Sequence, residues 1–151
     1  MAILQGMCSS FKQESWLGIH DLATDTLKLA LYTAAADLSQ ATTVYTTSGE
    51  VPTGSGYNAG GEVLTGAQVL LSGTTAYLTF DNPVWSGASF VCRGGLIYNS
   101  SKADRAIAVL DFGSDKTANG TSPIQLPAAQ PRQRCCASLK PMNFDAAFDV
   151  P

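Results

Sequence analysis

The sequence has few charged residues, one histidine and no long apolar run. Charged side chains make up 14% of the 151 residues, whereas ~25% is usual for globular domains. The formal net charge of -3 argues against a general binder of the nucleic-acid backbone, which needs a basic surface. No stretch approaches the ~20 apolar residues that span a bilayer. We therefore expect neither nucleic acid nor a membrane as a partner.

Patterns of a secretory signal, a disulfide framework and a zinc site are also missing. The chain begins with neither a basic region nor a long apolar region. The four cysteines, Cys8, Cys92, Cys135 and Cys136, include no Cys-x-x-Cys pair, and His20 is the only histidine. We expect a reducing compartment, free thiols and no bound metal.

No catalytic motif is recognisable. His20 beside Asp21 could act as an oriented base, but no nucleophile motif such as Gly-x-Ser-x-Gly accompanies it. The simpler interpretation of this histidine is a packed or capping residue near a helix end. The glycine-rich stretch 54–61 is not a phosphate loop, because no Lys-Ser/Thr pair follows it. We predict a protein that is not an enzyme and binds no cofactor.

The remaining sequence is typical of an antiparallel β protein, since it is 45% hydrophobic and rich in glycine, serine and threonine. Ser10 and Gln13 resemble a capping box, which with Gly18 as a stop predicts a short helix. Leucines then alternate from Leu27 to Leu31, which is strand spacing. The runs 67–72 and 75–80 flank Gly73-Thr74 and indicate a hairpin.

Further along the chain the pattern predicts more strands separated by turns. Gly94-Gly95 indicates a bulge or bend, and Gly113 opens a region that reads as a loop up to Pro123. The predicted strands here are 89–98, 106–112 and Ile124–Leu126. Together they predict an all-β fold, an antiparallel β-sandwich that is jelly-roll-like, with a short N-terminal helix and extended loops. We assign 1–129 to one domain and 130–151, which carries Arg132, Arg134 and Lys140, to a C-terminal extension.

Between the helix and the hairpin lies a long region, 34–61, in which the run 42–47 predicts a short strand. Its many glycines favour backbone freedom, and we interpret it as a surface arm or lid. Aromatic residues dominate interface hot spots, although the simpler interpretation of most of them is the core. The candidate contacts with a partner are Tyr45, Val51, Tyr57, Gly60, Gly61, Trp16, Trp85, Arg132 and Arg134.

Six short motifs occur in order along the chain. The motifs are Phe11-Lys12-Gln13-Glu14, Gly18-Ile19-His20-Asp21, Leu27-Lys28-Leu29-Ala30-Leu31-Tyr32-Thr33, Gly56-Tyr57-Asn58-Ala59-Gly60-Gly61, Leu96-Ile97-Tyr98-Asn99 and Ala108-Val109-Leu110-Asp111-Phe112-Gly113. Their order resembles a family of small virion structural proteins of tailed bacteriophages, and the resemblance covers the chain from about residue 5 to Ala129. Similar chains end in a short apolar strand, whereas residues 130–151 are basic and interrupted by prolines.

The resemblance implies a capsid decoration or cement protein with no catalytic residues. Its expected partners are the major capsid protein and itself, as a homodimer or homotrimer, on the capsid surface of a virion assembled in the host cytoplasm. One alternative is a low-copy neck, tail or fibre-associated protein. The alternative of a different class is a carbohydrate-binding β-sandwich module.

Overall fold

The structure, a computed structural model, describes residues 2–123. Within them all regular elements but one helix and one short 3-10 turn are β-strands, so the all-β prediction is confirmed. The elements are β1 (Gly6–Met7), α1 (Ser9–Trp16), β2 (Leu27–Tyr32), β3 (Glu62–Val63), β4 (Gln68–Ser72), β5 (Thr75–Thr79), β6 (Val84–Asn99), the 3-10 turn (Ser100–Lys102) and β7 (Arg105–Pro123).

The strands form one five-stranded sheet and a separate hairpin. The sheet has the order β1-β7-β6-β2-β3, and every neighbouring pair is antiparallel. The hairpin consists of β4 and β5, with Ser72 opposite Thr75 across the predicted turn at Gly73. The finer expectation of a jelly-roll sandwich stays a prediction.

Strand β2 lies inside the sheet, between β6 and β3. The alternating leucines predict one apolar face, but Ala30 and Tyr32 on the opposite face are also fully buried. The hydrophobic core that includes these β2 side chains also contains Phe11 of α1 and Leu38 of segment 34–61. This two-sided burial places β2 at the centre of the core.

The helix begins two residues earlier than the capping box predicts. Cys8 is the N-cap, with no side-chain cap, and Ser10 lies inside the helix. That prediction fails because the preceding strand β1 fixes the entry of the chain. Gly18 does end the helix, with a φ of +67° just after the C-cap Leu17. Within the described residues, no helix is long and apolar enough to cross a membrane.

Strands β6 and β7 are much longer than their sequences predict. β7 continues through the region 113–123, which the sequence predicts as a loop, because β6 pairs with it as far as Val84 opposite Pro123. The cross-strand partner therefore outweighs the low strand propensity of glycine, asparagine and aspartate. The predicted bulge is found as a shift of pairing between Cys92 and Gly94.

The run 42–47 does not form a strand. Only an isolated bridge joins Val44 to Arg105, flanked by a hydrogen bond from the Tyr45 N–H to the Asp104 carbonyl at 2.8 Å. The predicted strand Ile124–Leu126 and the extension 130–151 lie outside the described residues.

Candidate functional site

The glycine-rich segment 34–61 packs against the five-stranded sheet. Ala36, Val51 and Tyr57 are each no more than 2% exposed. The Val51 N–H donates to the carbonyl of Leu31 on β2 at 2.9 Å. The interpretation as a surface arm is therefore wrong, because the segment contributes side chains to the core. The same burial corrects the expectation that Val51 and Tyr57 contact a partner.

The carboxylate of Glu50 holds this segment in place. Its Oε1 accepts hydrogen bonds from the Tyr57 hydroxyl and the Gly60 N–H, both at 2.7 Å. Its Oε2 accepts from the Tyr45 hydroxyl at 2.6 Å. The Tyr57 oxygen in turn accepts from the backbone N–H of Leu31 at 2.9 Å. We refer to Glu50, Tyr45, Tyr57 and Gly60 as the Glu50 cluster.

A further tyrosine closes the cluster on the side of the sheet. The Tyr98 hydroxyl donates to the Gly60 carbonyl at 2.7 Å, and its ring stacks on Tyr45 with 4.8 Å between ring centroids. Burial, followed by the charges of Asp104 and Glu50, raises the pKa of Tyr98 to about 12. Burial and the carboxylate of Glu50 also raise the pKa of Tyr45. These phenols therefore remain protonated donors at neutral pH, and the cluster stabilises the fold.

Gly60 and Gly61 are required by the backbone conformation and close packing of the segment beside β2. Gly61 has a φ of +73°, and a Cβ there would lie 1.9 Å from the carbonyl oxygen of Leu29. Gly60 is bonded through both its N–H and its carbonyl. The glycines are thus explained by close packing on β2 and by the hydrogen bonds of Gly60. The candidate contact Tyr45, which stacks on Tyr98, is half-exposed.

The two tryptophans have opposite environments. Trp85 is 1% exposed and stacks near Tyr57, with 6.4 Å between centroids, so its predicted contact with a partner is corrected to a core position. Trp16 at the end of α1 is 61% exposed, and the adjacent Leu17 is 67% exposed. Of the predicted aromatic contacts, Trp16 is exposed, Tyr45 is half-exposed, and Tyr57 and Trp85 are buried.

A second polar cluster joins α1 to the sheet, and we call it the His20 cluster. His20 Nε2 lies 2.8 Å from Glu14 Oε2, and Arg105 forms a short hydrogen bond with Glu14 Oε1. The Asn99 amide nitrogen lies 3.0 Å from His20 Nδ1 and 2.7 Å from Asp25 Oδ2. The His20 side chain is only 1% exposed.

The hydrogen bonds assign the tautomer of His20. Asn99 Oδ1 accepts from the Ser101 N–H at 3.0 Å, so the Asn99 amide nitrogen faces the ring and donates to Nδ1. A carboxylate only accepts, so Nε2 carries the hydrogen that points to Glu14. Both ring nitrogens are therefore engaged, and neither is available as a base.

The electrostatics of the neighbouring groups also favour a structural role. Burial alone would raise the pKa of Glu14, but hydrogen bonds from His20 and Arg105 outweigh it and lower the pKa below its ordinary value. Burial, reinforced by the nearby Glu14 carboxylate, raises the pKa of the Cys8 thiol to about 12. A nucleophilic cysteine needs the opposite shift. The cluster anchors α1 and fixes the direction in which its C-terminal end points.

The hairpin exposes apolar side chains that the sequence interpretation did not identify as a surface. Val69 is 54%, Leu70 37% and Leu71 72% exposed. No charged residue occurs between Glu62 and Asp81. The available signal was the run Val-Leu-Leu itself, because three consecutive apolar residues in a two-stranded hairpin cannot all point to one covered face.

The remaining predictions concern the C-terminal arginines, the cysteines and metal binding. Arg132, Arg134 and the cysteine pair 135–136 lie outside the described residues. Within residues 2–123, Cys8 and Cys92 are buried free thiols. In the same range no group of three or more His, Cys, Asp or Glu side chains is placed to hold a metal ion.

Comparison with known proteins adds no assignment. The chain matches no protein-family model, no curated protein and no solved structure.

Proposed function

We propose that this chain is a non-enzymatic structural protein of a tailed-bacteriophage virion that binds the outer surface of the major capsid shell and stabilises it. The order of the six motifs supports the proposal. In the structure these motifs occupy positions that build the fold: Leu27–Tyr32 is β2, Leu96–Asn99 belongs to β6 and Gly56–Gly61 contains much of the Glu50 cluster. The resemblance thus falls on residues that determine a fold.

The observation that carries the proposal is the exposed end of α1. Trp16 and Leu17 are more than half exposed, yet the helix that presents them is tied to β7 through Glu14 and Arg105. A rigid helix end with a large aromatic side chain is suited to binding, because little side-chain and backbone freedom is lost on contact. We infer that this surface contacts the capsid, in place of segment 34–61, whose Val51 and Tyr57 are buried in the core.

To stabilise a capsid shell, a decoration protein needs only to bind the assembled lattice more tightly than the free capsid subunits. A ligand that binds the assembled lattice and not the free subunits stabilises the lattice by mass action, and many copies multiply a modest energy per site. The low content of charge is consistent with wide and moderately polar contacts. The carbohydrate-binding alternative is less well supported, because Tyr32, Tyr57, Tyr98 and Trp85 are buried and do not form an exposed aromatic platform.

The proposal is tested by the copy number in purified particles of the phage that encodes the chain, measured by quantitative mass spectrometry. We expect a simple ratio to the major capsid subunit. A few copies per particle would instead assign the chain to the neck, tail or fibres, and complete absence would overturn the virion role. In either case the decoration proposal fails.

The contact surface is tested separately by co-sedimentation with shells that lack the protein. We expect Trp16→Ser and Leu17→Ser each to weaken binding about tenfold or more. The matched control is Val44→Ser, at an exposed apolar residue (49%) on the segment 34–61. Equal effects of all three substitutions would contradict the assignment of the surface to α1.

A further inference from the structure

The free edge of β4 is an unusual feature of this molecule. Within the described residues, β4 pairs with β5 alone, and no other backbone hydrogen bond involves residues 68–72. Edge strands normally carry a device that prevents pairing with another chain, such as a lysine, a proline or a bulge. β4 has none of these, because its pairing with β5 is continuous and its sequence is Gln-Val-Leu-Leu-Ser.

The polarity of β4 is symmetric about its central residue. If two copies of the strand pair antiparallel around Leu70, each Val69 lies opposite the partner copy's leucine 71, and the two central leucines face each other. The polar ends, Gln68 and Ser72, also lie opposite each other. This arrangement places apolar side chains against apolar side chains at each of the three central positions.

The backbone is compatible with the same register. Ser72 and Thr75 close a two-residue turn and so form a hydrogen-bonded pair. The alternation of an antiparallel ladder then directs the N–H and C=O groups of Val69 and Leu71 to the free edge. These are the groups that would pair with their copies across an axis at Leu70.

The absence of charge around β4 also favours a second copy of this chain as the partner that pairs with its free edge. A twofold interface brings each residue near the same residue of its partner, so a charge close to the axis meets a like charge. The run from Val63 to Phe80 has no charged residue. A partner of opposite charge would have nothing to recognise here, whereas an identical strand meets no repulsion.

We propose that the β4 edges of two copies pair antiparallel about Leu70 and form a four-stranded sheet across a homodimer. On one face of that sheet, Val69 and Leu71 of both copies cover each other, which removes the most exposed apolar surface of the hairpin. The dimer does not depend on capsid binding, so the two proposals can fail separately.

Sedimentation of the full chain over a range of concentrations tests the dimer. We expect a monomer–dimer equilibrium whose dissociation constant rises about tenfold or more in Leu71→Lys, since two lysines then flank the axis. The matched control is Val91→Lys on β6, at another half-exposed valine (46%), which should leave the equilibrium unchanged. A wild-type chain that is monomeric at all concentrations, or a dimer indifferent to Leu71→Lys, would overturn the proposal.

A disulfide cross-link tests the register in which the two β4 strands pair. Its expected result is a new covalent dimer, which a variant that merely fails to fold would not give. In the register centred on Leu70, the two copies of this residue form a non-hydrogen-bonded pair with Cα atoms about 4.5 Å apart, within reach of a disulfide. In a background carrying Cys135→Ser and Cys136→Ser, Leu70→Cys should give a covalent dimer on mild oxidation, and Val91→Cys should not. Failure of Leu70→Cys to cross-link would refute the register. Loss of shell binding in Leu71→Lys from a monomeric wild type would assign the edge to a capsid contact and likewise refute self-pairing.

Discussion

The Glu50 carboxylate lies 2.7 Å from the hydroxyl of Tyr57, a residue that is 1% exposed in the core. The tyrosine hydroxyl bridges the carboxylate and the backbone N–H of Leu31 on β2. Glu50 thus orients the tyrosine hydroxyl that joins the glycine-rich segment to the centre of the sheet. Without it, buried phenol and backbone donors would lose their acceptor.

We therefore expect Glu50→Ala to lower the free energy of unfolding by about 2–3 kcal/mol, because it leaves polar groups of the cluster unsatisfied. Urea denaturation followed by circular dichroism measures the change. Glu62→Ala, at another half-buried glutamate, is the control and should cost less than about 0.5 kcal/mol. Equal costs for the two variants would show that Glu50 does not hold the segment.

Alanine substitutions at Gly61 and Gly113 distinguish the destabilisation caused by steric clash from that caused by a left-handed backbone conformation. Both have φ near +75°, but a Cβ would contact the Leu29 carbonyl only at Gly61, and would meet open space at Gly113. We expect Gly113→Ala to cost about 1–2 kcal/mol from the left-handed backbone alone. Gly61→Ala should cost clearly more or prevent folding, as measured by thermal unfolding. A similar midpoint for both variants would contradict the close packing of segment 34–61 on β2.

The His20 cluster predicts a loss of stability in acid. Folding lowers the pKa of Glu14 and of Asp25, in each case because hydrogen bonds outweigh the effect of burial. Such carboxyls contribute stability above their unfolded pKa of about 4, and the contribution is lost as pH falls through the lower folded value. We expect the free energy of unfolding to fall steeply below about pH 4, and to fall less steeply in Glu14→Gln.

Urea titrations at a series of pH values measure this dependence. At neutral pH, Glu14→Gln should itself cost about 1–3 kcal/mol, since Arg105 and His20 lose a charged acceptor. Asp37→Asn, at an exposed position, should retain the wild-type slope. A Glu14→Gln variant with an unaltered acid slope would exclude the cluster as its origin.

The buried thiols should be unreactive in the native state. Burial, with a smaller effect of Asp115, raises the pKa of Cys92 to about 11, and burial with Glu14 raises that of Cys8 to about 12. In the Cys135→Ser/Cys136→Ser background, we expect neither thiol to react with a disulfide reagent at pH 8 until the chain is unfolded in urea. Fast labelling of a native thiol would contradict the burial of that residue.

Local patterns in the sequence determined several elements without reference to the rest of the fold. Leu27 to Leu31 alternate as in a strand, Gly73 allows the tight hairpin turn, and Gly18 adopts the left-handed conformation that ends α1. These features were predictable because each depends on residues close together in the chain.

Tertiary structure decided the features that depend on distant partners. β7 extends beyond Gly113 because β6 supplies its hydrogen bonds, and Tyr57 of segment 34–61 can lie in the core because Glu50 accepts a hydrogen bond from its hydroxyl. Sequence reasoning could not separate Trp85 in the core from Trp16 on the surface, since the same residue type suits both environments. Only the sheet topology showed that, within residues 2–123, β4 pairs with β5 alone. Whether a strand edge is free depends on which strands are placed beside it, and no local pattern contains that information.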